Sequence, residues 1–184
     1  MEILSVLCPL CKSDRFEVTQ SRFDVPYFGE VMVTTDICPD CRYRHTDVMT
    51  LDESEPARYR YTLRDLDGLN VRVVRSSTSH IRFAELGVRI DPGTAAEGYV
   101  TNVEGLLDRI EGVLQGVKRA GGSDTTVGDL DRVNELLSLI AGYREGRGEL
   151  NIVMEDPMGN SAMIGDGVIK EPLTEEEVLS LSRY

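Results

Sequence analysis

The chain has 184 residues, 41% of them hydrophobic and 28% charged, with a formal net charge of −12. That length suits one full domain plus a small module, and the apolar content is enough for a packed core, so disorder is not the default state. The acidic balance argues against nonspecific binding to nucleic acid or anionic lipid, because phosphate contacts need a basic surface that releases counterions.

In chain order, Met1 to Leu7 is too short and lacks the basic start of a signal peptide. No later apolar run reaches membrane-spanning length, which predicts a cytoplasmic protein without membrane contact. All four cysteines then fall in two CPxC knuckles, Cys8-Pro9-Leu10-Cys11 and Cys38-Pro39-Asp40-Cys41. A two-residue spacer lets both sulfurs of a knuckle face one ion, so each knuckle supplies half a tetrahedron. Cys8, Cys11, Cys38 and Cys41 are therefore the expected ligands of one structural zinc. Four thiolates leave about two negative charges around zinc, and Lys12 and Arg42 directly follow the knuckles where they offset it. Iron centres use similar pairs and would betray themselves by colour, while disulfides need an oxidising compartment. A shell filled by four cysteines has no open position for water or substrate, which excludes Lewis-acid catalysis at this metal.

Between the knuckles, residues 16–19 and 30–37 predict two strands joined by Asp24-Val25-Pro26-Tyr27-Phe28-Gly29, which gives a zinc ribbon over residues 1–51. The aromatic pair Tyr27 and Phe28 at the ribbon's tip suits either partner binding or packing against the rest of the chain. After the link Asp52 to Pro56, short β-type runs at 59–63, 69–75, 80–83 and 88–90 predict an all-β body. From Arg58 to Arg89, seven arginines stand against three acids, a local +4 in an acidic chain. Strand alternation puts Arg58, Arg60 and Thr62 on one face and Tyr59, Tyr61 and Leu63 on the other. That basic face is either solvated or a docking surface for an acidic partner or RNA.

Thr101-Asn102-Val103-Glu104 has capping-box spacing, and Val103, Leu106, Leu107, Ile110, Val113 and Leu114 follow as an apolar stripe that predicts a helix ending near Gly116. Thr126 is placed to cap a second helix with Leu130, Val133, Leu137 and Ile140 on one face, giving a helical hairpin at about residues 101–143. Strands return at 150–154 and 163–169 around the turn Asp156 to Ser161, and Thr174-Glu175-Glu176-Glu177 opens a short acidic helix. Asp156 and Asn160 offer too few oxygens for calcium, which favours a backbone role for that turn.

Only His45 and His80 are present, and His45 belongs to the ribbon, so a two-histidine metal site cannot be built in the β-body. Ser76 to Ser79 has no base paired with it in the sequence, and no glycine-rich phosphate loop occurs. The chain reads as a non-enzyme without a small-molecule substrate.

Five segments in order, Val25-Pro26-Tyr27-Phe28-Gly29-Glu30-Val31 between the knuckles, Arg60 to Leu63, Pro92-Gly93-Thr94, Thr101 to Leu107 and Asp156 to Ser161, resemble the ZPR-type zinc-finger proteins. The resemblance implies a mainly β fold: an N-terminal zinc ribbon followed, over residues 52–184, by a double-stranded β-helix carrying a helical hairpin. Eukaryotic members hold two such units, bind translation elongation factor 1-alpha and assist its folding; this chain has one unit, as archaeal relatives do. It departs from the family at Arg75 to His80, where a lysine, a serine and an acidic residue are more usual. The implied function is a non-catalytic zinc protein that binds and assists elongation factor 1-alpha, with Tyr27, Phe28, Arg58 and Arg60 as partner-binding candidates. The alternative is an RNA-binding zinc ribbon that uses the Arg58 to Arg89 segment.

Overall fold

The computed structural model of the protein describes residues 6–26, 28–51, 55–93, 96–120 and 127–182. Three antiparallel strands form the ribbon in the order β1 (Glu17–Val25), β2 (Gly29–Ile37) and β3 (Arg44–Thr50). β1 pairs with β2 from Glu17 opposite Ile37 to Val25 opposite Gly29, so the hairpin is longer than the sequence suggested. Gly29 closes the turn at φ 69°, a conformation open to glycine without steric cost.

The body is the expected double-stranded β-helix, or jelly roll, made of two antiparallel sheets. One carries the order β11 (Ile169–Pro172), β4 (Ala57–Leu63), β9 (Leu150–Asp156), β6 (His80–Phe83), β7 (Val88–Ile90). The other carries β10 (Ala162–Ile164), β5 (Arg72–Arg75), β8 (Tyr99–Asn102). Their inner faces bury Tyr59, Tyr61, Leu63, Val73, Ile81, Phe83, Ile152 and Met154 in one apolar core. On β4 the alternation is as read from the sequence: tyrosines and Leu63 inside, Arg58, Arg60 and Thr62 outside.

The helical hairpin consists of α1 (Val103–Ala120) and α2 (Val127–Arg144). Lys118 reaches Asn134 and Arg144 reaches Glu111, so the helices run antiparallel. α1 buries Val103, Leu106, Leu107 and Ile110, but it runs past Gly116, and Val113 is 68% exposed. Its cap is Asn102 rather than Thr101, with the Gly105 amide donating to the side-chain Oδ1 of Asn102 at 2.8 Å. Thr101 instead belongs to β8, and its hydroxyl would lie 2.1 Å from a Cβ placed on Gly105. On α2 the buried face is Val133, Leu136, Ile140 and Tyr143, so Leu136 takes the place expected of Leu137. Thr126, the expected cap of α2, lies outside the described residues.

Two acids fasten the turns of this framework. Asp156 is fully buried at the end of β9, and its two oxygens accept from the hydroxyls of Ser76 (2.8 Å), Thr78 (2.8 Å) and Ser161 (2.6 Å) and from the Met158 amide (2.9 Å). Four donors saturate a carboxylate, so no lone pair is left over for a cation. Asp47 of β3 accepts from the Ser77 amide and hydroxyl, both at 2.7 Å, and ties the ribbon to the same loop. Phe28, Val31, Val48 and Val74 form a second, smaller core across that junction.

α3 (Glu175–Leu181) fully buries no residue, and polar contacts tie it to the body. Thr174 and Glu177 form the expected capping box. Glu177 also accepts from Arg58 at 2.8 Å, and the Leu181 carbonyl lies 3.3 Å from His80 Nε2.

Two outcomes follow from these acids. Asp156→Ala removes the shared acceptor of three hydroxyls, two of them on buried residues, and should cost roughly 3 kcal/mol of stability, read as a lower urea midpoint of zinc-loaded protein; an unchanged midpoint refutes the clamp. The Thr174 amide, Arg58 and the Thr174 hydroxyl together hold the Glu177 carboxyl down at about 2. A depressed carboxyl stabilises the fold above its unfolded value, and that contribution disappears as pH falls through the folded value. The protection of α3 amides, taken relative to the intrinsic exchange rate at each pH, should therefore hold down to the ordinary carboxylate range and be lost as pH drops from there towards about 2.

Candidate metal centre

The two knuckles repeat one backbone device. The Lys12 amide donates to the Cys8 carbonyl and the Arg42 amide to the Cys38 carbonyl, each at 2.9 Å. In turn the Cys8 amide donates to Ser13 O and the Cys38 amide to Tyr43 O, again at 2.9 Å. These turns force Lys12 to φ 62° and Arg42 to φ 63°. Left-handed backbone costs a residue with a Cβ about 1 kcal/mol, so glycine would be the comfortable choice at both positions. Two cations stand there instead, each next in sequence to a ligand cysteine, and the Lys12 ammonium donates to the Pro9 carbonyl at 3.2 Å.

All four sulfurs lie within 4.8 Å of one another, with Cys8 to Cys41 and Cys11 to Cys38 at 3.6 Å. A tetrahedron with bonds of about 2.3 Å has edges of about 3.8 Å, so the sulfurs already mark the corners of a zinc–thiolate shell. Asp40, inside the second knuckle, accepts from Ser13 and Arg15 beyond the first and locks the two halves together. The Cys41 amide stabilises the Cys38 thiolate and lowers its pKa. For Cys41 the Tyr43 amide acts the same way, but burial and the three neighbouring sulfurs prevail and push it up to about 12. Four adjacent sulfurs cannot all ionise without a cation between them.

The remaining sequence candidates do not gather around this centre. Phe28 is only 5% exposed and packs in the junction core with Val31, Val48 and Val74. Tyr27 lies outside the described residues. The Arg58 side chain, 16% exposed, pairs with Glu155 at 2.6 Å and Glu177 at 2.8 Å because α3 folds back over β4. Arg60 is half exposed and pairs with Glu171 across β11 at 3.0 Å. His80 is buried and bonded through Nδ1 to Asp91 at 2.9 Å, and His45 lies on β3 of the ribbon, stacked near Tyr43. The hydroxyls of Ser76 and Thr78 meet Asp156 without an imidazole among their hydrogen-bond partners.

Two family models cover most of the sequence. The ZPR1 zinc-finger domain matches residues 1–56 and the ZPR1 jelly-roll domain matches residues 67–176. The chain belongs to the ZPR1 family. An uncharacterized ZPR1-like protein of Methanocaldococcus jannaschii is 42% identical over 175 residues, covering 95% of this chain and 87% of that protein. A second, from Pyrococcus horikoshii, is 40% identical over 177 residues, covering 96% and 79%. The zinc finger chaperone of Schizosaccharomyces pombe is 29% identical over 157 residues, which is 84% of this chain but only 34% of the yeast protein. This ZPR1 chain is thus a single unit at the length of its archaeal relatives, and it carries one four-cysteine zinc site.

Sequence reasoning found the ligands and missed the acids that fix the Ser76 to Ser79 turn. Asp47 and Asp156 act on hydroxyls 30 and 80 residues away in the chain, and no local spacing betrays such pairs. The excess of Ser and Thr at 76–79 was the available signal, since hydroxyl-rich turns with no local acceptor need a distant one.

Removal of the metal tests the centre directly. Purified protein should contain one zinc per chain; a strong chelator should release it, free four thiols and unfold β1 to β3 locally before the jelly roll. Zinc-free protein with an intact ribbon overturns this, and a red-brown sample would point to iron.

Proposed function

We propose that this chain is a cytoplasmic, non-catalytic zinc-binding protein that binds translation elongation factor 1-alpha and assists its folding. The observation that carries the reading is the saturation of its reactive groups. The zinc shell is closed by four thiolates, His80 is engaged by Asp91, and the buried Asp156 carboxylate is filled by its four donors. Among the described residues these groups are engaged within the fold, and that suits a folding assistant. Support also comes from the yeast relative, whose name describes a zinc finger chaperone. No helix among the described residues is long and apolar enough to cross a membrane.

The RNA-binding alternative loses its main support. Arg58, Arg60, Arg64, Arg82 and Arg89 each face a carboxylate, so the local excess of arginine is largely neutralised within the fold. A phosphate backbone would have to displace those partners. Among the partner-binding candidates, Tyr27 remains the proposed contact at the ribbon tip.

A folding assistant must prefer one conformation of its client, because equal affinity for two states shifts neither. The test is refolding of elongation factor 1-alpha with and without this protein, beside titrations of the factor in nucleotide-free, GDP and GTP forms. We expect a higher refolding yield and unequal affinities among the three forms. Absence of binding in every form together with no gain in yield overturns the assignment, and binding unchanged by Tyr27→Ala rejects only the contact.

A further inference from the structure

Between β7, β8 and the outer side of α1 lies a cavity of about 480 Å³ that neither the zinc centre nor the candidates above use. Val88, Ile90, Ile110 and Leu114 give its walls an apolar part, and Arg75, Arg109 and Tyr99 line it beside them. Two guanidinium groups meet there around one ring: Arg109 sits 3.8 Å above the centre of Tyr99, and Arg75 lies 5.6 Å from it.

Arg75 is 2% exposed, and its hydrogen bonds go to the backbone carbonyls of Glu97 (2.7 Å), Ser79 (3.2 Å) and Asp91 (3.4 Å). Its Nε has no partner, and no described carboxylate lies within ion-pair distance of either Arg75 or Arg109. The acids nearby are Asp91, already bonded to His80 and Arg89, and Glu97. An unmatched buried cation is costly, and an incoming anion offsets that cost. In a chain of net charge −12, the buried Arg75 and the exposed Arg109 share this one cavity.

The apolar surface does not end at the cavity. Val113, on its rim, is 68% exposed, and Val117, one turn further along α1, is 43% exposed. A small acid would fill the cavity and leave that strip bare, whereas an extended chain covers both.

We propose that this cavity and the adjoining strip of α1 form a docking site for a partner's peptide segment in which an apolar side chain is followed by carboxylates. The apolar group enters between Ile90 and Ile110, and the carboxylate meets Arg109 at the mouth, with Arg75 supplying positive potential from below. The site deepens the binding-protein reading and rests on it for the partner's identity, elongation factor 1-alpha.

The probe is a fluorescein-labelled octapeptide with Leu-Phe-Asp-Asp at its centre and Gly-Ser flanks, titrated by fluorescence anisotropy against the zinc-loaded protein. A matching peptide with Asn for Asp serves as control, and octanoate as a small-acid competitor. Arg109→Ala and Val113→Asp lie on the surface and should fold; circular dichroism checks this. We expect binding of the Asp peptide that weakens about tenfold in either variant and about as much in the Asn peptide. Equal titrations for wild type and variants, no binding up to about 1 mM, or binding of octanoate alone overturns the proposal. The same proteins titrated with elongation factor 1-alpha separate the two readings. Peptide bound with the factor ignored leaves the site standing and removes the client; factor bound equally by wild type and both variants, with the peptide ignored, removes the site and leaves the client.

Discussion

The Ser76 to Ser79 turn is held from two sides by carboxylates, and the architecture hangs on that clamp. Asp156 reaches it from β9 in one sheet, Ser161 joins from the strand connection that leads to β10, and Asp47 reaches it from the ribbon. The turn links β5 in one sheet to β6 in the other. Buried hydroxyls and amides must be paired, so the turn is fixed only when the two sheets and the ribbon are all in place. Polar satisfaction here supplies specificity that the apolar core, indifferent to small slips, does not.

The same logic makes the ribbon part of the body and not an appendage. Zinc fixes the knuckles, but β3 lies against β5 and β8, where Gly98 donates to Thr46 at 2.9 Å. A Cβ on Gly98 would meet the Val48 amide at 2.2 Å, so only glycine permits this approach. Phe28 then closes the junction with Val31, Val48 and Val74. Losing the metal should reach the jelly roll through these contacts, weakened but not abolished, because the larger core lies wholly within the body.

Much of this was legible in the sequence, and what was legible was local. Two CxxC turns specify a tetrahedral sulfur site by spacing alone, β4 declares itself by strict alternation, and α1 by its apolar period. β3 was missed because Arg44 to Thr50 turns polar residues both outward and towards the body, with Asp47 facing Ser77, so its alternation is blurred. β8 was read as the approach to a helix because Thr101 mimics a cap that Asn102 provides. The arginine segment misled in the same way. Its charges look unmatched over thirty residues of sequence but are matched by Glu149, Glu155, Glu171 and Glu177, far downstream.

Once those pairings are made, the charge of the molecule acquires a different meaning. Arginine–glutamate pairs on half-exposed strands contribute little stability each, and their larger effect is to choose which strand edges and helices belong together. Arg58 illustrates this: it selects both β9 and α3, the latter having no buried residue to hold it. A surface neutralised this way is poorly suited to nonspecific anions. Whatever it recognises must then combine shape with a few fixed charges, and such recognition favours one protein partner over polyanions at large.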